Sequence, residues 1–484
     1  MKKKISVIVL LISLITICLF IILSKKSISI SKEMLKEENH MESAWDFNQK
    51  LNIGWNLGMS LSANINYPEI ISYNVIVDEQ KSQEFKSKES NLFIIENNAS
   101  NDLKIEFNVP YSNLDGILYW TLDELLLDNN VIYISKSFET EVSGGKAFCV
   151  LENIRQTDYQ EIKMKLTIDK FYEYNTKEKV EFYETFWCET KTDKELIQTL
   201  KNEGFNAIRI SFDVYNHLNI DGIIDNLWLN RLKEIVDYCM DLDVYCLVDI
   251  IETYGLYVDS LNSDGLDKFV SLWIQVASLF KDYDDKLLFS PFNEVRNTNG
   301  DWNPPNDLML ENMNYLYQVF VDTIRSTGGN NKWRNLILTT YAAGVDKTIL
   351  EFFKMPSDST FNHLLVECHI YHPVNFTFNE INLGSTDFLY EWGSKRDKRS
   401  LNEKFDMISK FMKKTKLPVI IGEFGVADRN GISEMKEYYE YYRKQTSKLK
   451  IGILVFDDSH DFVIIDRKTK KFINDEIVDI LTLR

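Results

Sequence analysis

Two glutamates stand where short apolar runs stop. Leu287-Leu288-Phe289-Ser290-Pro291-Phe292 leads into Asn293-Glu294, and Pro418-Val419-Ile420-Ile421-Gly422 leads into Glu423-Phe424-Gly425. An apolar run ended by a carboxylate fits a buried parallel strand whose C-terminal tip carries the charge. In α/β barrels those tips face the active site. Two carboxyl groups so placed suffice to cleave a glycosidic bond: one protonates the leaving oxygen while the other, ionised, attacks the anomeric carbon. Residues this far apart in sequence meet only through a closed fold. The plainer alternative is a pair of strand-end glutamates that cap helices or form ion pairs.

The elements that must position them follow from hydrophobic periodicity. Strand-like runs at 207–210, 244–250, 287–292, 336–340, 364–369, 418–422 and 451–456 alternate with helical patterns at 227–241, 266–280, 307–325, 400–413 and 433–446. The strands are apolar on both faces, as a parallel sheet requires. An eighth strand lies upstream at 51–56, so the expected fold is an α/β protein, a (β/α)8 TIM barrel. Between that strand and its helix, near 193–203, lies a block of different texture. Its runs at 92–96, 103–109, 116–121, 131–134, 147–152 and 162–171 alternate apolar and polar residues at period two. They predict an antiparallel β-sandwich inserted after the first barrel strand, beside the catalytic mouth. The expected divisions are 1–26, a transmembrane anchor or signal segment; 27–45, a tether; 46–61, barrel strand one; 62–182, the insert; and 183–484, the rest of the barrel.

Composition narrows the partners. The 484-residue chain has a net charge of -18, which disfavours nucleic acid and anionic membrane surfaces as partners and suits a neutral polymer. Its six cysteines show no zinc-ligand spacing and read as free buried thiols. At the N-terminus Lys2-Lys3-Lys4 precede an uncharged apolar run over residues 5–23, long enough to cross a bilayer. This predicts an extracytoplasmic protein, held at the cell surface if the segment stays and secreted if it is cleaved.

Several motifs then carry a resemblance. Asn52-Ile53-Gly54-Trp55-Asn56-Leu57-Gly58, Tyr183-Glu184-Thr185-Phe186-Trp187, Gly204-Phe205-Asn206-Ala207-Ile208-Arg209-Ile210 with Tyr215-Asn216-His217, Phe292-Asn293-Glu294-Val295-Arg296, Glu367-Cys368-His369-Ile370-Tyr371 and Ile421-Gly422-Glu423-Phe424-Gly425 follow one another at barrel spacing. In that order they resemble glycoside hydrolase family 5, the cellulase-like barrels, over about residues 46–61 and 183–484. The resemblance implies that Glu294 is the general acid/base and Glu423 the nucleophile of a retaining double displacement. It further implies that Arg209 and Tyr371 orient Glu423, that Asn293 bonds the sugar 2-hydroxyl, and that His369 contacts the sugar or the acid/base. His217 would frame the cleft, with a structural loop histidine as the equal alternative. Trp55, Trp187 and Trp302 would stack on pyranose rings, with core packing as the alternative for each.

Two departures fall in the expected cleft. Where the family typically shows a His-His pair after strand three, this chain has Asp249-Ile250-Ile251-Glu252-Thr253. Where it usually places a Trp platform after strand eight, the chain has Val455-Phe456-Asp457-Asp458-Ser459. The expected function is an endo-β-glycanase acting on β-1,4-linked polysaccharide. The competing readings are a catalytically weak carbohydrate-binding protein, and a hydrolase of mannan, xyloglucan or mixed-linkage glucan. No cofactor or metal is expected, and the chain is expected to be a monomer.

Overall fold

The computed structural model describes residues 41–77, 80–94, 102–111, 114–154, 159–261, 263–378, 391–427 and 431–483. The expected membrane segment, most of the tether and Cys18 lie outside these residues. Among the described residues no helix is long and apolar enough to cross a membrane.

Eight parallel strands close into a barrel: Gly54–Asn56, Ala207–Phe212, Tyr245–Ile250, Leu287–Ser290, Leu336–Thr339, Leu364–His369, Val419–Phe424 and Gly452–Val455. Gly54 pairs with Ala207 on one side and Leu454 on the other, which shuts the ring. Side chains along a strand alternate between the barrel interior and the surrounding helices. The lower interior is therefore apolar, with Ala207, Leu247, Leu288, Ile337, Leu365, Ile420 and Leu454. An N-terminal helix, Ala44–Lys50, closes it from below by setting Phe47 edge-on against Tyr245 at 4.9 Å. Two residues further along the same strands the interior turns polar, at Arg209, Asp249 and Glu367. The site rests on this change from apolar floor to charged layer.

One irregularity in the seventh strand matters for chemistry. Cys368 pairs with Ile421 but His369 pairs with Glu423, so Gly422 is an extra residue, a β-bulge. With Ile420 facing inward, strict alternation would send Glu423 outward. The bulge re-aims it into the mouth.

The inserted block differs from the expected sandwich. It is one continuous antiparallel sheet of nine strands rather than two packed sheets, ordered 80–81, 72–77, 103–108, 146–151, 130–143, 116–127, 161–173 and 90–94, with 85–86 paired to 72–77. The sheet curls onto itself. Phe107 and Trp120 sit three strands apart, about 14 Å in a flat sheet, yet their rings lie 5.0 Å apart. Asn91, on the far edge strand, donates to the Tyr73 hydroxyl at 2.6 Å. Bulges in the long strands 116–127 and 161–173 accompany this curvature. The sheet meets the barrel at the loop after the second strand. Ile65 and Asn216 exchange two hydrogen bonds, at 2.7 and 3.0 Å, and the Lys170 ammonium sits 3.9 Å over the Tyr215 ring.

Trp120 anchors the curled core. It stacks on Phe138 at 4.4 Å and donates to the Thr140 hydroxyl at 2.9 Å. Trp120→Ala should cost about 3–5 kcal/mol of insert stability, as expected for a buried aromatic removed without collapse. Denaturant unfolding followed through the insert tests this, and a loss below about 1 kcal/mol would contradict so tight a core.

Candidate active site

The charged layer is built around Arg209, buried on the second strand. Its Nε faces Glu367 Oε1 at 2.8 Å, Nη1 donates to Glu423 Oε1 at 2.8 Å, and Nη2 lies 3.2 Å from Asp249 Oδ2. Nη1 also donates to Asn56 at 3.1 Å and Nη2 to Asn293 at 2.9 Å. Asn56 in turn donates to the Gly422 carbonyl at 2.8 Å, tying the first strand to the bulge. The other Glu423 oxygen accepts the Tyr371 hydroxyl at 2.8 Å. Burial pushes the Glu423 carboxyl above the ordinary carboxylate value and the Glu294 charge adds to this; His369, Arg209 and Tyr371 pull the other way.

Glu294 stands opposite. His369 Nδ1 is 2.7 Å from Glu294 Oε1 and 3.5 Å from Glu423 Oε2. Donor atoms of Glu294, His369 and Glu423 all lie within 4.8 Å of one another. Burial pushes the His369 imidazole down, and Glu423, Glu294 and Glu367 together lift it to about 10. Six of the expected residues thus converge: Arg209, Asn293, Glu294, His369, Tyr371 and Glu423.

Others do not. Trp55 faces outward from its strand with 0% exposure, beneath the Arg467 guanidinium at 4.8 Å, so it packs the core and cannot touch a sugar. His217 is also fully buried, flat against Trp228 at 3.9 Å and edge-on to Tyr183. Burial lowers its imidazole to about 3, which makes it a neutral packing residue rather than a cleft wall. Trp187 is 42% exposed at the rim, where its carbonyl pairs with His460 Nε2 at 2.6 Å from the loop after strand eight. Trp302 is 58% exposed after strand four, with the Arg296 guanidinium 4.3 Å over its ring. In place of the Trp platform after strand eight stands an aromatic group, with Phe456 and Phe462 at 6.3 and 5.7 Å from the Tyr371 ring.

Three further carboxylates belong to the site, and the sequence alone gives none of them a role. Asp249 and Glu367 are interior residues whose only signal was a charge inside an apolar strand, at period two with Ile251 and His369. Glu252, noted only as a departure, accepts the backbone N–H groups of Asn293 and Glu294, each at 3.2 Å. It holds the turn that presents the acid/base candidate.

The arrangement defines a class: a barrel with two facing carboxylates at its C-terminal mouth, oriented by an arginine, a histidine and a tyrosine. The sequence model of cellulase (glycosyl hydrolase family 5) matches residues 171–457, and the chain belongs to that family. Endoglucanase A of Clostridium longisporum is 32% identical over 62% of this chain and 59% of its own length. The xyloglucan-specific endo-beta-1,4-glucanase BoGH5A of Bacteroides ovatus is 31% identical over 59% of this chain and 61% of its own length. The chain therefore spans less than two thirds of either relative. Among solved structures, a family 5 lichenase from Caldicellulosiruptor sp. F32 is 35% identical, covering 62% of this chain and 86% of that one, with a TM-score of 0.58. A GH5-4 broad-specificity endoglucanase from Clostridium longisporum is 25% identical and covers 91% of this chain and 98% of that one, with a TM-score of 0.63.

Glu252 makes the stability pH-dependent. Burial raises its carboxyl to about 7, with Glu294 and Asp249 adding to the rise and the N–H bonds opposing it. A carboxyl raised on folding binds its proton more tightly in the folded state. Its contribution is complete below the ordinary carboxylate range and is lost as pH rises through about 7. Glu252→Gln cannot titrate, so the difference in melting temperature between wild type and this variant should fall from pH 5 to pH 8. Calorimetry across that interval measures it, and a pH-independent difference would refute the raised carboxyl.

Proposed function

We propose that the protein is a retaining endo-β-glycanase, with Glu423 as nucleophile and Glu294 as acid/base. The observation that carries this reading is the approach of Glu294 and Glu423 oxygens to within 4.8 Å. Retaining glycosidases keep their carboxyl groups about 5–5.5 Å apart, whereas inverting ones leave room for a water at about 6.5–9.5 Å.

In the first step a Glu423 oxygen bonds to the anomeric carbon as the glycosidic C–O bond breaks. Glu294 in its acid form passes its proton to the leaving oxygen. In the second step Glu294, now a carboxylate, takes a proton from water, the water oxygen bonds to the anomeric carbon, and the bond to Glu423 breaks. Arg209 and Tyr371 hold one Glu423 oxygen each, which aims the carboxylate and offsets its charge before attack. Asn293, whose side-chain oxygen accepts from Arg209, bonds the sugar 2-hydroxyl in this reading.

The substrate class is a β-1,4-linked glucan, with mixed-linkage glucan and xyloglucan as the nearest alternatives, in keeping with the lichenase and the xyloglucan-specific relative. The acidic chain suits a neutral polymer, and Trp302, backed by Arg296, offers an exposed ring beside the acid/base strand for a pyranose. Residues 5–23 are the sequence support for an extracytoplasmic location. The insert, joined to the loop after strand two, lengthens the cleft. Its Tyr119 and Tyr172 rings meet edge to face at 5.3 Å, and Lys170 links Tyr172 to Tyr215 on the barrel loop. Tyr119→Ala and Tyr172→Ala should therefore lower kcat/KM on long polymer while leaving a short oligosaccharide unaffected; equal effects on both would end that role.

The mechanism is tested by NMR of the first-formed product on a polysaccharide panel, where the retained anomer is expected. Glu423→Gln should abolish turnover. Glu294→Gln should suffer most with poor leaving groups and recover with azide on an activated substrate, since azide needs no general base. An inverted product, or full activity in Glu423→Gln, would refute the assignment. Sugar binding without turnover on every polymer would favour the binding-protein reading, with Ile251 the first position to examine.

A further inference from the structure

We propose that Glu367 is a positioning residue of the catalytic step, fixing His369 and Arg209 as cations against Glu294 and Glu423. The proposal rests on the assignment of those two glutamates and adds to it a buried carboxylate that touches no substrate.

Glu367 lies two residues before His369 on the sixth strand, so both side chains enter the barrel. It is fully buried; Oε1 makes ion-pair contacts outside hydrogen-bond geometry, and Oε2 makes hydrogen bonds. Oε1 lies 2.8 Å from Arg209 Nε and 3.5 Å from His369 Nε2. Oε2 accepts the hydroxyls of Ser290 at 3.1 Å and Thr339 at 3.2 Å. The carboxylate therefore cannot rotate without losing a partner. Its space is created by the bulge glycine: a Cβ on Gly422 would fall 1.8 Å from Glu367 Oε1. The residue that re-aims Glu423 is thus also the one that admits Glu367.

A core position would be filled more cheaply by an apolar residue, as Leu365 fills it one layer below. Isolated buried carboxylates cost several kcal/mol unless closely paired. Of the three acids that Arg209 meets, Glu367 is the one it draws down, while burial raises Asp249 to about 7. The same Glu367 oxygen also faces the histidine. Nδ1 faces Glu294 and Nε2 faces Glu367, so a neutral ring would turn a lone pair toward one carboxylate or the other. The imidazolium presents an N–H to each, hydrogen-bonded to Glu294 at 2.7 Å and in ion-pair contact with Glu367 at 3.5 Å.

The charged groups around that ring are Glu294, Glu423, Glu367 and Arg209, with Asp249 and Glu252 behind them and the Tyr371 hydroxyl beside Glu423. Carboxylates outnumber the guanidinium, and the ring is lifted accordingly, while Arg209 draws Glu367 down to about 2 against the effect of burial. During the proposed reaction a persistent imidazolium stabilises Glu294 as its carboxylate once the proton has gone to the leaving oxygen. The ring gives up no proton in either step.

The test is Glu367→Gln in the full chain, read in two ways. NMR of the histidine ring in the resting protein should show His369 charged through pH 8 in the wild type and titrating between about pH 5 and pH 8 in the variant. Steady-state kinetics should show kcat reduced about 10- to 100-fold, the range known for carboxylates that orient metal-bound histidines. KM should change little, and the pH–rate profile should gain a new limb where His369 titrates. Glu367→Asp should restore the His369 charge in part. If Glu367→Gln fails to fold, Thr339→Val keeps the charge but frees Oε2, and should lower kcat without moving the His369 titration.

A folded Glu367→Gln protein in which His369 stays charged through pH 8 would overturn the proposal, whatever its kcat. So would a shifted His369 with unchanged kcat. Because the ring titration is read without turnover, this outcome is separate from failure of the two-glutamate assignment, which full activity in Glu423→Gln would reveal.

Discussion

A full positive charge sits in the middle of this barrel with almost no access to water. Burying Arg209 is tolerable only if its fork is matched on every side. It binds Glu423 on strand seven, Glu367 on strand six, Asp249 on strand three, Asn56 on strand one and Asn293 after strand four. One side chain therefore sets the relative placement of five barrel strands at the level where the chemistry sits. A lysine, with a single rotatable charge and no planar fork, would not hold these partners in fixed directions. Gathering so many acids around one arginine leaves an excess of negative charge, and His369 completes the balance as a second internal cation.

Glu294 and Glu423 were legible because each ends an apolar run, and the barrel because such runs alternate with helical patterns. Arg209, Asn293, His369 and Tyr371 entered through motifs that resemble the family, and the structure brings all six together. What failed was orientation. Trp55 sits in a motif beside Asn56, but alternate residues on a strand face opposite ways, so Asn56 enters the mouth and Trp55 enters the outer core. His217 follows a strand end yet turns under Trp228, a tertiary contact with no local signature. Glu367 and Asp249 could have been found by counting in twos from His369 and Arg209 along strands that otherwise carry no charge. The Gly422 bulge was beyond such counting, because it is visible only as a change of register between neighbouring strands.

The insert illustrates the same limit. Its period-two pattern located six of its strands, and alternation correctly implied one buried and one solvated face. Alternation cannot say how many sheets share the buried face. Two packed sheets and one curled sheet bury the same residues, and the choice lies in hydrogen bonding between strands and in the bulges that bend them. The strands at 72–77, 80–81 and 85–86 escaped notice for a different reason: two are only two residues long and owe their form to pairing with the first.

The departures at strands three and eight have physical replacements, although these do not reproduce what was lost. Glu252, one position beyond Ile251, holds the Asn293–Glu294 turn through two backbone N–H groups, so the turn is supported by a carboxylate on the chain side of the cleft. After strand eight, Asp457 and Asp458 are turned into the loop, accepting backbone N–H groups from Ile464 and Phe462 among others. That loop carries Phe462 to the Tyr371 ring, alongside Phe456 at the end of the strand. Tyr371, which bonds the nucleophile, is thereby packed from the strand-eight side even without a tryptophan. Both replacements support the catalytic groups from behind, whereas a histidine or tryptophan facing the cleft would contact substrate directly. Chemistry and recognition are thus separable in this fold. The charged layer is closed on itself, with Arg209 and His369 committed to carboxylates, and neither cation is left to attract an anionic ligand. Affinity must then come from hydroxyl bonding and ring stacking at the rim, where a neutral sugar gains most and electrostatics least.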